Sequence, residues 1–186
     1  ESPSSGEIFL DGTPVSMNST HQAEKLGISI IFQELNLFPN MNVMDNIFMA
    51  NEFFQKGKIN EKYQYALAQS LLKRLELDVD PYTPLEELGI GHQQLVEIAR
   101  ALSKDTRVLI MDEPTSALSQ SEVKILFNVI EQLKRRGVTI IYISHRLEEL
   151  MEIGDYITIF RDGHFISERP VSDASIPWII EQMVGD

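Results

Sequence analysis

Three short stretches place chemistry-bearing residues at the ends of apolar runs. In Val108-Leu-Ile-Met-Asp112-Glu113-Pro114-Thr115, two carboxylates follow four apolar residues and a proline stops the run at once. In open α/β sheets ligands bind at the carboxyl ends of the strands. There Asp112 can hold Mg²⁺ directly or through water, and Glu113, pointing elsewhere, can orient or deprotonate a water. In Ile143-Ser144-His145-Arg146 an imidazole ends a second apolar run. A histidine there can hydrogen-bond a phosphate or a reacting water. Gln33 ends a third run, Ile28–Phe32; a neutral amide can ligate a metal or place a water without adding charge. A fourth stretch, Leu88-Gly89-Ile90-Gly91-His92-Gln93-Gln94, opens a helix. Two glycines there let backbone N–H groups approach a phosphate, and the helix dipole favours the anion.

Each feature also has a plainer reading: an acidic turn, a structural histidine, a surface glutamine, a flexible glycine turn. What separates the two is whether the elements deliver these residues to one place. Parallel strands put their carboxyl ends together. The order along the chain is strand, helical insert, strand, helix, strand, helix, hairpin, which predicts an α/β fold with a parallel sheet and a helical subdomain. The short run Glu7–Leu10 precedes Asp11-Gly12, a hairpin signal. His21–Leu26 reads as a helix stopped by Gly27. About Leu35–Lys104 reads as an all-helical insert, with helices expected over Val43–Ala50, Glu61–Leu77 and Gly91–Ser103. Ser119-Gln-Ser-Glu122 has capping-box spacing for a helix running to Gly137. Val138–Ser144 has the apolar composition of a strand covered on both faces. Tyr156–Phe160 and His164–Ser167 flank a second Asp-Gly turn, and a last helix covers about Ser175–Met183. The expected divisions are residues 1–34, 35–104 and 105–186.

Composition narrows the field. The chain has 186 residues, 16 Lys plus Arg against 28 Asp plus Glu, and a formal net charge of −12. That balance argues against a nucleic-acid partner, which calls for a basic stripe, but not against a small phosphate ligand held by amides and a metal. There is no cysteine, hence no disulfide framework and no thiolate chemistry.

Together the D-E-P-T-S-A-L, S-H-R, F-Q-E and L-G-I-G-H-Q-Q-L-V-E-I-A-R-A-L stretches resemble an ATP-binding-cassette ATPase in content and order. Ile31-Phe-Gln-Glu-Leu-Asn-Leu-Phe-Pro39 and Gln94-Leu-Val-Glu-Ile-Ala99 resemble most closely the first cassette of the two-cassette ATPase of bacterial monosaccharide importers, the ribose, galactose and xylose type. The likeness runs from Ser5 to about Gly185. It implies an ATP-binding, ATP-hydrolysing subunit that couples hydrolysis to sugar uptake, with ATP and Mg²⁺ as cofactors. It implies membrane permease subunits and a second cassette as partners, a sugar-binding protein outside the membrane as an indirect one, and a peripheral place on the cytoplasmic side of the cell membrane. By resemblance, Gln33 is the Q-loop glutamine beside Mg²⁺ and Asp112 the Walker B aspartate, also a metal residue. Glu113 is the catalytic glutamate and His145 the switch histidine. Gly89, Ile90, Gly91 and His92 belong to the signature motif that caps a γ-phosphate on the opposite cassette. Ser116, Ala117 and Leu118 form the D-loop. The helical insert is the part that docks on the permease.

Two departures stand out. No G-x-x-x-x-G-K-[ST] occurs; the one Gly-Lys pair, Gly57-Lys58, lacks the flanking pattern. In the family that loop and its strand precede the segment resembling Ser5–Val15. The chain is therefore expected to begin after the main nucleotide site, to have an incomplete P-loop NTPase-like sheet that could rearrange or swap strands, and to bind ATP poorly by itself. Gly89 stands where the family has Ser, so one hydrogen bond to phosphate is missing. Two other readings remain open: a non-catalytic docking or regulatory module derived from a cassette, and a related ATPase of repair or translation, which the −12 charge speaks against.

Overall fold

The described chain enters through an antiparallel hairpin, β1 (Ile8–Leu10) and β2 (Thr13–Val15), turned by Asp11 and Gly12 at φ 49° and 74°. Two successive positive φ values match the right-handed twist of the flanking strands, and an Asp-Gly pair adopts them at low cost. The computed structural model describes residues 5–185. The polar opening Glu1–Ser4, and Asp186, lie outside the described residues.

Helix α1 (Thr20–Lys25) is capped by the Ser19 hydroxyl and leads through Gly27 into β3 (Ile28–Ile31). Gly27 has φ 79°, and its carbonyl accepts from the amides of Arg107 at 2.7 Å and Val108 at 3.0 Å. Helix α2 (Val43–Phe48) follows, with Asn42 as its cap. The segment that the sequence predicts to be all helical then makes a small hairpin, β4 (Phe54–Gln55) and β5 (Lys58–Ile59). Lys56 and Gly57 turn it with φ 51° and 77°. The Gly57-Lys58 pair is thus turn chemistry.

Helix α3 (Glu61–Arg74) ends three residues before the expected Leu77. Glu76 takes φ 52° there, and the Leu77 amide reaches back to the Leu72 carbonyl at 3.0 Å. This is a Schellman stop built without glycine. Helix α4 (Ile90–Leu102) starts with Gly89 as its cap residue. Strand β6 (Val108–Asp112) leads to α5 (Gln120–Arg135), which has the predicted reciprocal Ser119–Glu122 capping box. Strand β7 (Thr139–Ile143), α6 (Leu147–Ile153), the hairpin of β8 (Tyr156–Arg161) with β9 (His164–Pro170), and α7 (Ile176–Val184) complete the chain.

The central sheet is parallel, in the order β3-β6-β7. Its register sets Ile31 beside Met111 and Met111 beside Tyr142. One face is core: Ile31, Leu109 and Met111 are fully or almost fully buried, together with Leu126 and Ile130 of α5 and Leu95 of α4. Burying side chains of this size stabilises the fold by about 1.5–3 kcal/mol each.

The other face differs from expectation. Strand β7 is not covered on both sides: Ile141 is 47% and Ile143 48% exposed, as is Ile30 at 43%. Along β7 runs a groove of about 990 Å³, lined by residues 138–144 on one side and by Tyr156, Ile157, Thr158 and Phe160 of β8 on the other. Among the described residues β7 pairs only with β6, and β8 only with β9. The two strands face each other across the groove without closing on it.

Candidate functional site

The sheet register decides the site. Since Ile31, Met111 and Tyr142 lie side by side, the residues two or three places further on leave the sheet at one rim. These are Gln33, Glu113 and, from the third strand, Ser144 and His145. Their side chains meet. Gln33 Nε2 donates to Glu113 Oε2 at 3.1 Å, and His145 Nδ1 lies 2.8 Å from Glu113 Oε1. An ionised carboxylate only accepts, so Nδ1 carries the proton in this bond and Nε2 is left for another partner. The His145 side chain is 70% exposed, against 25% for Glu113.

Glu113 holds an unusual backbone conformation, with φ 47°. A non-glycine residue there stores about 1 kcal/mol or more, and such strain persists only where the surroundings enforce it. The Glu113 amide donates to the Ile143 carbonyl at 2.9 Å, and its carbonyl accepts from Ser116 at 3.2 Å. The strand thus turns sharply at Glu113. Asp112 remains in the ladder beside Ile143, half-buried, with no hydrogen bond to its carboxylate among the described residues.

The donor set suits a hard cation. With Nε2 of Gln33 engaged, its Oε1 is available, and Asp112 supplies a carboxylate from the neighbouring strand. Among the described residues no three His, Cys, Asp or Glu gather into a self-sufficient metal site. One carboxylate and an amide oxygen fit Mg²⁺, which keeps several waters and takes further oxygens from phosphates. A complete phosphate cradle is not formed by these residues.

The glycine-rich stretch is elsewhere. Gly89, Ile90 and His92 are exposed, and none hydrogen-bonds to Gln33, Glu113 or His145. This stretch lies instead against the segment that follows Glu113. A Cβ on Gly91 would come within 2.9 Å of Glu122 Oε1 and 3.2 Å of the Ala117 carbonyl, while one on Gly89 would meet open space. Glu122 also lies 3.8 Å from His92 Nε2. The Ser119 hydroxyl and amide, bonded to Glu122 at 2.6 and 2.7 Å, hold its carboxyl below the usual range. Ser116 and Ala117 are exposed and Leu118 is anchored in the core.

Sequence reasoning missed two groups. The first fixes the chain just past Gln33. The Asn36 amide donates to Glu97 Oε1 at 3.4 Å, and its carbonyl accepts from Arg100 at 2.8 Å. Glu97 is 5% exposed, its Oε2 has no partner, and burial raises its carboxyl above the usual range against the Asn36 amide and Arg100. The available signal was a charged residue inside the apolar run Leu95-Val-Glu-Ile-Ala99. The second group surrounds Glu149, 8% exposed, which accepts from Thr115, Tyr142, Ser144 and Arg146. Nothing in the spacing of those residues announced it.

The chain belongs to the ABC transporter family, whose model matches residues 1–116. It is 47% identical over 180 residues to the xylose import ATP-binding protein XylG of Thermoanaerobacter pseudethanolicus, covering 97% of this chain and 36% of that protein. It is 44% identical over 183 residues to the ribose import ATP-binding protein RbsA 1 of Rubrobacter xylanophilus, with 98% and 36% covered. A putative ribose/galactose/methyl galactoside import ATP-binding protein of Burkholderia cenocepacia is 45% identical over 187 residues, with 97% and 36% covered. The chain thus spans about a third of the length of the curated relatives it matches. Among solved structures, a dimeric ATP-binding cassette in a post-hydrolysis state with ADP and Pi superposes with a TM-score of 0.78 at 23% identity, covering 92% of this chain and 75% of that one. A nucleotide-free ATP-binding cassette gives 0.77 at 22% identity, with 100% and 79% covered. These two likenesses establish the cassette fold.

Proposed function

We propose that this chain is part of the ATP-binding subunit of a monosaccharide importer and carries that subunit's water-activating machinery. The observation that carries the reading is the convergence of Gln33, Glu113 and His145 from three adjacent strands. The sugar-import names of relatives at 44–47% identity support it.

In the proposed reaction Glu113 orients the attacking water and polarises it, its carboxylate held between Gln33 and His145. The Nε2 of His145 faces outward, toward the γ-phosphoryl oxygens. Asp112 and Oε1 of Gln33 would hold Mg²⁺, which when bound would neutralise charge on the transferring phosphoryl group. Catalysis is then positioning and electrostatics. The Gly89–His92 stretch caps the nucleotide of a second cassette, and Ser116–Leu118 cross the same interface. The insert between β3 and β6 docks on permease subunits, which places the protein peripherally on the cytoplasmic side of the membrane. A sugar-binding protein supplies the sugar, and sugar choice resides in other subunits.

The test uses the full-length chain that carries these residues. Glu113→Gln keeps ATP binding and lowers phosphate release about 10²- to 10⁴-fold, the usual worth of a positioned acid–base group. Unchanged phosphate release in that variant overturns the reading.

A further inference from the structure

Glu149 is buried, charged and unused by the reaction outlined above. It lies on α6, one turn beyond His145. Its Oε2 accepts from the Thr115 hydroxyl at 2.9 Å, the Tyr142 hydroxyl at 2.8 Å and the Ser144 hydroxyl at 3.3 Å, and its Oε1 accepts from Arg146 at 3.2 Å. The Ser144 hydroxyl oxygen in turn accepts the Arg146 amide at 3.0 Å. Thr115 is 2% exposed. Burial and the adjoining Glu149 carboxylate push the Tyr142 phenol well above its usual range, so it remains a donor.

The placement of these donors matters more than their number. Thr115 is two residues past Glu113, and Ser144 immediately precedes His145. The carboxylate therefore ties the end of β6 to the end of β7 from the buried side. The Glu113–His145 bond ties the same two ends on the solvent side. Glu113 is also the residue at φ 47°, a conformation that survives only where neighbours over-determine it. Thr115, gripped by Glu149, closes the turn that contains Glu113: the Leu118 amide donates to the Thr115 carbonyl at 3.2 Å and the Ser116 amide to the Glu113 carbonyl at 3.2 Å. A carboxylate suits this task because it accepts from all four neighbours at once; an amide in its place turns its NH₂ either to Arg146, which cannot accept, or to the hydroxyls, which then no longer donate to it.

We propose that Glu149 is a positioning residue, a buried strut that holds the two strand ends at the separation which keeps Glu113 and His145 paired. The role in turnover rests on the ATPase reading; the role in pairing does not. Loss of the strut lets the Glu113 turn relax and the imidazole lose its fixed partner. Misplacement of this kind lowers a chemical step by up to about 10²-fold without touching substrate affinity.

The test uses the full-length chain and Glu149→Gln, with Thr115→Val as the variant that decides if Glu149→Gln does not fold. The first readout is the ¹⁵N signature of the His145 imidazole without nucleotide. The unsubstituted chain shows the Nδ1–H form, and the variant shows a mixture of tautomers. The second is turnover. The variant loses about 10-fold or more in kcat with KM for ATP unchanged, and adding it to Glu113→Gln brings no further loss. An unchanged tautomer signature in the folded variant overturns the strut. So does a loss that multiplies with that of Glu113→Gln, the result expected of a purely structural residue. Absence of phosphate release from the unsubstituted chain overturns the ATPase reading instead, and leaves the tautomer result to decide the strut.

Discussion

His145 Nδ1 stands 2.8 Å from Glu113 Oε1, although 32 residues separate them in the chain. The distance follows from the parallel pairing of β6 with β7, which sets Asp112 opposite Ile143. One more step along β6 reaches the carboxylate, and two more along β7 reach the imidazole. The side chain of Gln33, from β3, closes the same cluster on the other side at 3.1 Å.

The left-handed turn at Glu113 makes a stability prediction independent of activity. Glycine takes φ 47° freely and alanine does not. Both remove the side chain, so its lost contacts cancel in the comparison. Glu113→Gly is expected to be about 1 kcal/mol more stable than Glu113→Ala in denaturant unfolding. Equal stabilities, or a more stable alanine variant, contradict the strain.

The two glycines of the Leu88–His92 stretch are not equivalent. An added Cβ at Gly91 meets Glu122 and the Ala117 carbonyl, whereas at Gly89 it meets nothing. Gly91→Ala disturbs the Ser119–Glu122 capping box and is expected to cost about 1 kcal/mol, the typical worth of a cap. Gly89→Ser provides α4 with a side-chain cap, changes stability by no more than a few tenths of a kcal/mol, and raises phosphate release of the complete subunit by restoring a hydroxyl toward the γ-phosphate. Thermal unfolding checks the first pair of outcomes and steady-state turnover the last.

How much of this was legible in the sequence depends on how local the cause is. The Asp11-Gly12 and Asp162-Gly163 turns, the Ser119 capping box and the glycine stop at Gly137 are written in adjacent residues, and the structure has each. The order of strands and helices gave the parallel sheet, and the sheet gave the meeting of Gln33, Glu113 and His145. What was not legible has non-local or atypical causes. Glu76 ends α3 in a conformation usually left to glycine, so helical spacing alone carries the helix on to Leu77. Lys56-Gly57 turns a hairpin inside a segment whose helical spacing on either side hides it. Ile141 and Ile143 look like core residues by type, yet they line a groove, because burial depends on what stands opposite and not on the strand itself. The hub at Glu149 gathers residues from three elements, and no spacing rule finds it.

Glu97 predicts a pH effect. Burial raises its folded-state pKa, so in the window between its unfolded value and that raised value the native state binds more protons than the unfolded state. Stability then falls as pH rises through the window, and the cost persists at neutral pH. Glu97→Gln keeps the shape and removes the charge. It is expected to stabilise the chain at pH 7, because the buried charge is gone, and to flatten that part of the stability profile. A destabilised variant at pH 7 contradicts this.

Residues 1–186 contain no G-x-x-x-x-G-K-[ST]. Expressed as an isolated polypeptide, they are expected to bind ATP·Mg weakly and to release no phosphate in steady state. Micromolar affinity with continuing release would show that the rim alone suffices.

The most direct measurement of the central claim is a double-mutant cycle on kcat in the full-length chain, with Glu113→Gln, His145→Ala and both together. If the two side chains act on one water as a unit, each single change removes most of the rate and the double variant is no slower than the slower single one. Losses that multiply, or a single variant that turns over at the unsubstituted rate, would show that the carboxylate and the imidazole meet at the rim without working together.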